Sequence, residues 1–445
     1  MRNRRLLAAS MAAYLVVGCA GAASPPPTTT PASSPATPEP STATRPAGLG
    51  FEGRDAIVVA GLASKPGLMA VQASTGDLMA SLPDGVPTGP AWGSLATVSV
   101  AANGATTTIA DVIVQPDLPE ETSIELEGSW ALPAIGNDPI PAGLSADSHT
   151  LILVQGGADD PGRATSRFAV VPFPPISGAP DLAPRVIELP GALDYDAISP
   201  NGRILYVAEH LDGDGGYQVR AVDLPGGVMR DAPIVDKRNL DEEMAGYPLG
   251  QVRSPGGLVL TLYRGHDHAF IHALNTAEAW AVCIDLPGAV EADTAEDWGL
   301  AASPDWRTVV AVNDSLGLAV DIDPSELVAR QTVRIAAGGP VIELAKFGHI
   351  DGGPVGPRVV TTTDGSTVFA AGATGVVRLG SDLSVDGRLL EDVSIRGLGL
   401  LPDGATLFAL LGDGRIVAVD AASGRLVGEV PGSGYDRLAA VVPWE

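Results

Sequence analysis

Ile198-Ser199-Pro200-Asn201-Gly202-Arg203-Ile204-Leu205-Tyr206-Val207 is the stretch from which the rest of the chain can be read. Pro fixes φ on the way into a tight turn, Asn hydrogen-bonds its own backbone, and Gly takes the positive φ that closes a hairpin. The same phrase returns with small changes. Leu144-Ser145-Ala146-Asp147-Ser148 precedes Thr150-Leu151-Ile152-Leu153-Val154, and Ala302-Ser303-Pro304-Asp305 precedes Thr308 to Val312. Thr363-Asp364-Gly365 precedes Thr367 to Ala370, and Leu401-Pro402-Asp403-Gly404 precedes Thr406 to Leu410. Ser254-Pro255-Gly256-Gly257 before Leu258-Val259-Leu260 is a degenerate copy.

A second phrase follows each of these, clearest in Arg415-Ile416-Val417-Ala418-Val419-Asp420, Ala421-Ala422-Ser423-Gly424 and Arg425-Leu426-Val427. Leu68 to Gln72, Ala73-Ser74-Thr75-Gly76 and Asp77-Leu78-Met79 repeat it near the start. Together the two phrases make four strands in about 50 residues, the size of a propeller blade. Such units start near residues 55, 90, 141, 195, 249, 298, 357 and 396. The first opens at Ala56-Ile57-Val58-Val59, the equivalent of a second strand, and the chain closes on Leu438 to Val442, a first strand with no successor. Joining them completes one blade from both termini and removes the two edges that an open array would expose. The expected fold is therefore an all-β propeller of four-stranded blades, eight by repeat count, closed by pairing of the N- and C-terminal strands. Seven is the alternative count, because the irregular stretch from Ala91 to Gly128 is the one place where a unit can be over-counted.

The string Ser199 to Arg203 with Leu205-Tyr206-Val207-Ala208, and Val419-Asp420-Ala421-Ala422-Ser423-Gly424-Arg425, resembles YVTN-type propeller repeats. That resemblance implies architecture rather than activity. Trp-Asp (WD40-like) repeats fit less well, since no Trp here is followed by Asp. The docking motif of quinoprotein propellers is matched in its first half by Ala418, Asp420, Ser423 and Gly424, and by Ala70, Thr75 and Gly76. Gly428 and Ala80 stand where its Trp belongs. No cofactor is expected on that ground.

Ahead of the repeats, Met1-Arg2-Asn3-Arg4-Arg5 leads into an apolar run from Leu6 to Gly18, the pattern of an export signal. The run is too short to span a membrane, which takes roughly 20 apolar residues. It ends in Leu15-Val16-Val17-Gly18-Cys19, which resembles the lipobox of bacterial lipoproteins. That resemblance implies cleavage before Cys19 and a lipid on its thiol. Two other readings stand beside it: cleavage after Ala22, releasing a secreted protein, and a Cys19–Cys283 disulfide. Ser24 to Gly48 is almost wholly Pro, Thr, Ser and Ala, a composition suited to a tether. The expected organisation is a signal over 1–18, a lipidated Cys and tether over 19–49, and a propeller over 50–445. The expected location is the extracytoplasmic face of a cell membrane.

Gly (54) and Pro (38) are abundant enough to predict many short elements rather than long helices. The net charge is −26, and a cut before Cys19 would remove Arg2, Arg4 and Arg5 and no acid. A surface so acidic repels nucleic acid. A single Cys in the propeller, Cys283, excludes a disulfide framework there. The partners expected are the membrane, through the anchor, and a protein, glycan or small molecule bound by a monomer.

His266, His268 and His272 share parity, and on one strand they would face one side as candidate transition-metal ligands. The competing reading puts the first two in an exposed turn. Asp212 and Asp214 have the carboxylate spacing of calcium loops, without the downstream Glu such a loop uses. Asp241-Glu242-Glu243 and Glu291 to Asp297 read as acidic loops that could add calcium ligands. Trp298 and Trp306 flank one turn and are expected to pack at a blade junction. No nucleophile elbow, His-Glu-x-x-His, Cys-x-x-Cys or phosphate loop occurs. The leading expectation is thus a binding or scaffold module. The alternative is an extracytoplasmic enzyme, a lactonase-type hydrolase or sugar dehydrogenase, with a metal such as calcium in the central channel.

Overall fold

The computed structural model describes residues 55–444 apart from 63, 84, 90–91, 114–120, 137, 156–161, 177–182, 212–215, 237, 239–243, 289–296 and 337–355. The described residues build eight antiparallel sheets, each of four strands in sequence order, and contain no helix. From blade 5 round to blade 1 the innermost strands of neighbouring sheets touch one another, and apolar clusters join every neighbouring pair of sheets, so each sheet is a blade. Blades 4 to 8 have inner strands Leu193–Ile198, Tyr247–Arg253, Trp298–Ala302, Val359–Thr361 and Ile395–Leu400. Blade 4 adds a fifth short strand, Met244–Ala245, against its third.

Closure follows the sequence expectation. Tyr435–Pro443 is the inner strand of blade 1 and pairs antiparallel with Ala56–Leu62, the second strand. Eight apolar clusters each bridge two blades, including one that joins Phe408 and Leu410 of blade 8 to Val58 and Leu438 of blade 1. Eight blades in an open row would share seven such interfaces, so the eighth cluster closes the ring. The continuous apolar runs in the sequence have the same cause. In Thr406–Leu411 of blade 8, Phe408 and Leu410 face blade 1 while Leu407, Ala409 and Leu411 face blade 7. A strand sandwiched between blades is buried on both faces and loses the alternation of a half-exposed one.

The Pro-Asn/Asp-Gly phrase is the turn from first to second strand. Ser199 Oγ donates to Asn201 Oδ1 at 2.9 Å, and Ser303 Oγ donates to Asp305 Oδ1 at 2.7 Å. Gly202, Gly365 and Gly404 take φ of 65°, 68° and 71°, and where Gly is replaced, Ser148 and Trp306 still adopt 57° and 58°. These turns gather on one face and lean on each other. Asp147 N donates to Pro200 O at 3.0 Å, and Thr363 Oγ1 donates to Pro402 O at 2.7 Å.

Two boundaries differ from the sequence reading. The irregular stretch does form a blade, starting at Gly85–Pro87 rather than near 90. Blade 3 starts at Trp130–Ala131, not near 141, because its inner strand is interrupted. Pairing with the second strand resumes only at the bridge between Leu144 and Leu151. The repeat phrase therefore marked only the second half of that strand.

Candidate functional site

The interruption in blade 3, residues 132–143, crosses the channel. Ile135 and Ala142 pack into the cluster between blades 3 and 4, and Ile140 packs against the cluster between blades 1 and 2. Gly136 lies against blade 5, where an added Cβ would sit 2.4 Å from Pro248 O. Asp138 Oδ2 accepts the backbone N–H of Gln251 at 2.8 Å, also on blade 5. Blade 5 stands opposite blade 1, so this segment is a plug. It meets the inner strand of blade 5 from Pro248 to Gln251, beginning at the second residue of that strand. Gly136 has φ of +51° and backbone on its Cβ side, so nothing flexible can make room. Gly136→Ala is expected to cost about 1–3 kcal/mol. It should also speed proteolysis within 132–143; an unchanged melt and cleavage pattern would contradict the plug.

Around the mouth, charged groups stand at the starts of inner strands. Asp194, second residue of blade 4's inner strand, binds Arg163 Nη2 at 2.6 Å and His210 Nε2 at 2.5 Å. Burial works to raise its pKa, but hydrogen bonds from His210 and Arg163 outweigh it and hold the carboxyl below its ordinary value. Asp297, just before the inner strand of blade 6, binds Arg358 Nη1 at 3.1 Å, just before that of blade 7. A third acid and arginine, Asp436 and Arg396, stand at the second positions of the inner strands of blades 1 and 8. The channel mouth thus carries acid and arginine side chains from several blades in the same region as the plug.

Deeper in the channel wall, Asp196 is a bulge residue. Tyr195 pairs with Val207 and Ala197 with Tyr206, leaving Asp196 outside the ladder. Its Oδ2 is buried without a hydrogen-bond partner. Burial pushes its pKa up to about 6 against the pull of Arg253. Burial likewise pushes Asp138 up to about 7, opposed by the Gln251 N–H and Arg253.

From there a polar row crosses blade 5 on the side facing blade 4: Gln251, Thr261, His272 and Cys283 are successive cross-strand partners. Gln251 Nε2 donates to Thr261 Oγ1 at 2.7 Å, and Cys283 Sγ lies 3.9 Å from His272 Nδ1. Cys283 is half-buried. His272 is fully buried with Nε2 unpartnered, and burial lowers its pKa to about 4.

The three histidines singled out in the sequence are not brought together. Only His272 lies in the strand Ala269–Asn275, so shared parity has no meaning for the others. His266 and His268 occupy the preceding turn. There His268 contacts Asp267 Oδ1 at 2.6 Å and Asp285 Oδ1 at 3.1 Å. Burial works to lower the His268 pKa, but these two carboxylates raise it overall. Asp212, Asp214, Asp241-Glu242-Glu243 and residues 291–296 lie outside the described residues, as does Cys19. Among the described residues no group of three or more His, Cys, Asp or Glu side chains is placed to hold a metal ion. Trp298 and Trp306 do pack at a blade junction, between blades 5 and 6.

The sequence reading missed the plug and every charged residue of the mouth except Asp297, which it read only as the end of an acidic loop. The plug had a signal: Pro133, Gly136, Pro139, Pro141 and Gly143 crowd between Trp130 and Leu144, too many breakers for a strand. The mouth residues had none, since their significance depends on which strand is innermost.

Fold and site together define an eight-bladed β-propeller whose channel is plugged by its own chain. No family model matches the chain, and no curated protein matches it in sequence. Among solved structures it is similar to AztD of Citrobacter koseri, at 12% identity over 88% of this chain and 98% of that one, with a TM-score of 0.48. The apo form of AztD gives 13% identity over 87% and 98%, with a TM-score of 0.47. Hydrazine synthase of Kuenenia stuttgartiensis gives 17% over 70% and 88%, with a TM-score of 0.36. These are likenesses of overall fold, and no residue role is carried over from them.

Proposed function

We propose that this protein is an extracytoplasmic binding module, held on a membrane by a lipid on Cys19, that takes a small polar ligand at the mouth of its channel. The observation that carries the reading is the plug. A propeller channel crossed by its own chain is closed rather than open from end to end, and a closed channel mouth with a few convergent polar groups has the general form of a small-molecule site. The rim has the chemistry to orient such a ligand, since it carries both carboxylates and guanidinium groups. For the anchor, the support is the Leu15 to Cys19 sequence and the Pro/Thr/Ser-rich stretch behind it, long enough to hold a folded domain clear of a bilayer.

Two measurements test the two halves. Cells grown with labelled palmitate should label the wild type and not Cys19→Ala; no label, or equal label on both, retires the anchor. A thermal-shift panel of amino acids, oligosaccharides and divalent cations on the purified protein should yield a polar organic compound that raises Tm. Stabilisation by a divalent cation alone would instead turn the reading toward a metal protein.

A further inference from the structure

The acid–arginine pairs of the mouth are not equivalent. Asp194 and Arg163 are in contact, and so are Asp297 and Arg358, so each charge is satisfied within the protein. Arg396 and Asp436 are not. Arg396 is half-buried and feels the charge of Asp436, yet makes no hydrogen bond or ion pair among the described residues. Asp436 is half-buried too, and its Oδ1 is buried with no partner, beside Gly61.

The backbone explains why these two stand apart. Both are bulge residues. Ile395 pairs with Leu411 and Gly397 with Leu410, which leaves Arg396 unpaired. Gly61 pairs with Arg437 and Leu62 with Tyr435, which leaves Asp436 unpaired. A bulge takes its extra side chain out of the strict alternation of a strand and re-aims it. Here the same irregularity recurs at the same second position of two adjacent inner strands. The result is one cation and one anion on adjacent inner strands, each within range of the other's charge but not in ion-pair contact. Leaving both unpartnered and partly desolvated is costly unless a ligand completes them.

We infer that Arg396 and Asp436 form a subsite for a zwitterion of the α-amino-acid type, Arg396 taking the carboxylate and Asp436 the ammonium group. A guanidinium holds a carboxylate through two parallel N–H···O bonds, and a carboxylate accepts from an ammonium group at about 2.8 Å. An α-amino acid carries both charges on adjacent carbons, so it bridges the gap with one charge-assisted contact at each end. The inference rests on the proposed mouth site and deepens it by naming the ligand class.

The test is calorimetric titration of the full-length protein with L-alanine, acetate and methylammonium. L-Alanine should bind saturably, while acetate and methylammonium, each carrying half the zwitterion, should bind at least about tenfold more weakly. Asp436→Asn, which is isosteric, and Arg396→Gln, which keeps a shorter uncharged polar side chain, should each weaken L-alanine by about tenfold or more at unchanged Tm. Asp420→Asn, in the turn between the third and fourth strands of blade 8 and at the end of the ring away from the mouth, should leave it unaltered. Absence of saturable binding by L-alanine overturns the inference, and so does equal binding by wild type and Arg396→Gln. Should oligosaccharides stabilise the protein where amino acids do not, the zwitterion subsite falls and the mouth site stands.

Discussion

A chain ending at Gly434 is expected not to fold. The missing strand, Tyr435–Pro443, is the inner strand of blade 1 and the only covalent route by which blade 8 is tied to blade 1. It buries Tyr435, Leu438 and Val441 between blades 8 and 1, and Ala439 and Val442 between blades 1 and 2. At about 1.5–3 kcal/mol for each large buried side chain, its four large ones account for roughly 6–12 kcal/mol. A whole domain is stable by only about 5–15 kcal/mol. The truncation also bares the edge of Ala56–Leu62 to pairing with other chains. The expected result is loss of the cooperative thermal transition by circular dichroism and aggregation on a sizing column. A cooperative melt from the truncated chain would mean that the ring stands open without its closure.

The second large effect is of pH on stability. Asp138, raised to about 7, and Asp196, raised to about 6, are protonated more readily in the folded chain than in the unfolded one. Their contributions are fully present below the ordinary carboxyl pKa and are lost as pH rises through about 6 and then about 7. His272, lowered to about 4, acts oppositely: its contribution is present above the ordinary imidazole pKa and is lost as pH falls through about 4. Over the window from about pH 4 to 7 the two carboxyls outweigh the one imidazole, so the share of stability set by these groups should fall as pH rises. A pKa unit corresponds to about 1.4 kcal/mol, so Asp138 sets a ceiling of about 4 kcal/mol on its share of the alkaline loss. The true share is smaller to the degree that the residue keeps some surface. Asp138→Asn keeps an oxygen to accept the Gln251 N–H and cannot ionise, so it should flatten the alkaline limb. Urea melts at acid, neutral and alkaline pH check this. Parallel curves for wild type and Asp138→Asn would show that the plug's carboxyl is not the titrating group.

Both effects turn on features of different legibility. The closing strand could be read from the sequence because turn chemistry is local. Ser199-Pro200-Asn201-Gly202 and its copies announce a hairpin wherever they occur, and counting from them exposes the offset between Ala56 at one end and Leu438 to Val442 at the other. Strand order within a blade follows from the same phrases, and eight copies of that order can only bury both faces of strands such as Thr406–Leu411 by standing side by side in a ring.

What the phrases cannot carry is any relation between residues far apart in the chain. His266, His268 and His272 looked like one face because parity was extended through a turn that has none. The breakers from Pro133 to Gly143 announce an irregular segment, yet only the packed ring determines that it points inward and sets Asp138 on blade 5. Arg396 and Asp436 are 40 positions apart in sequence. They become neighbours because the last strand returns beside blade 8, and they stay unpaired because each falls on a bulge. Local rules thus determined the architecture from the sequence alone, since backbone conformation is chosen within a few residues. The mouth was decided by tertiary structure, because ring closure sets which side chains stand next to each other and strand curvature sets which ones leave the ladder.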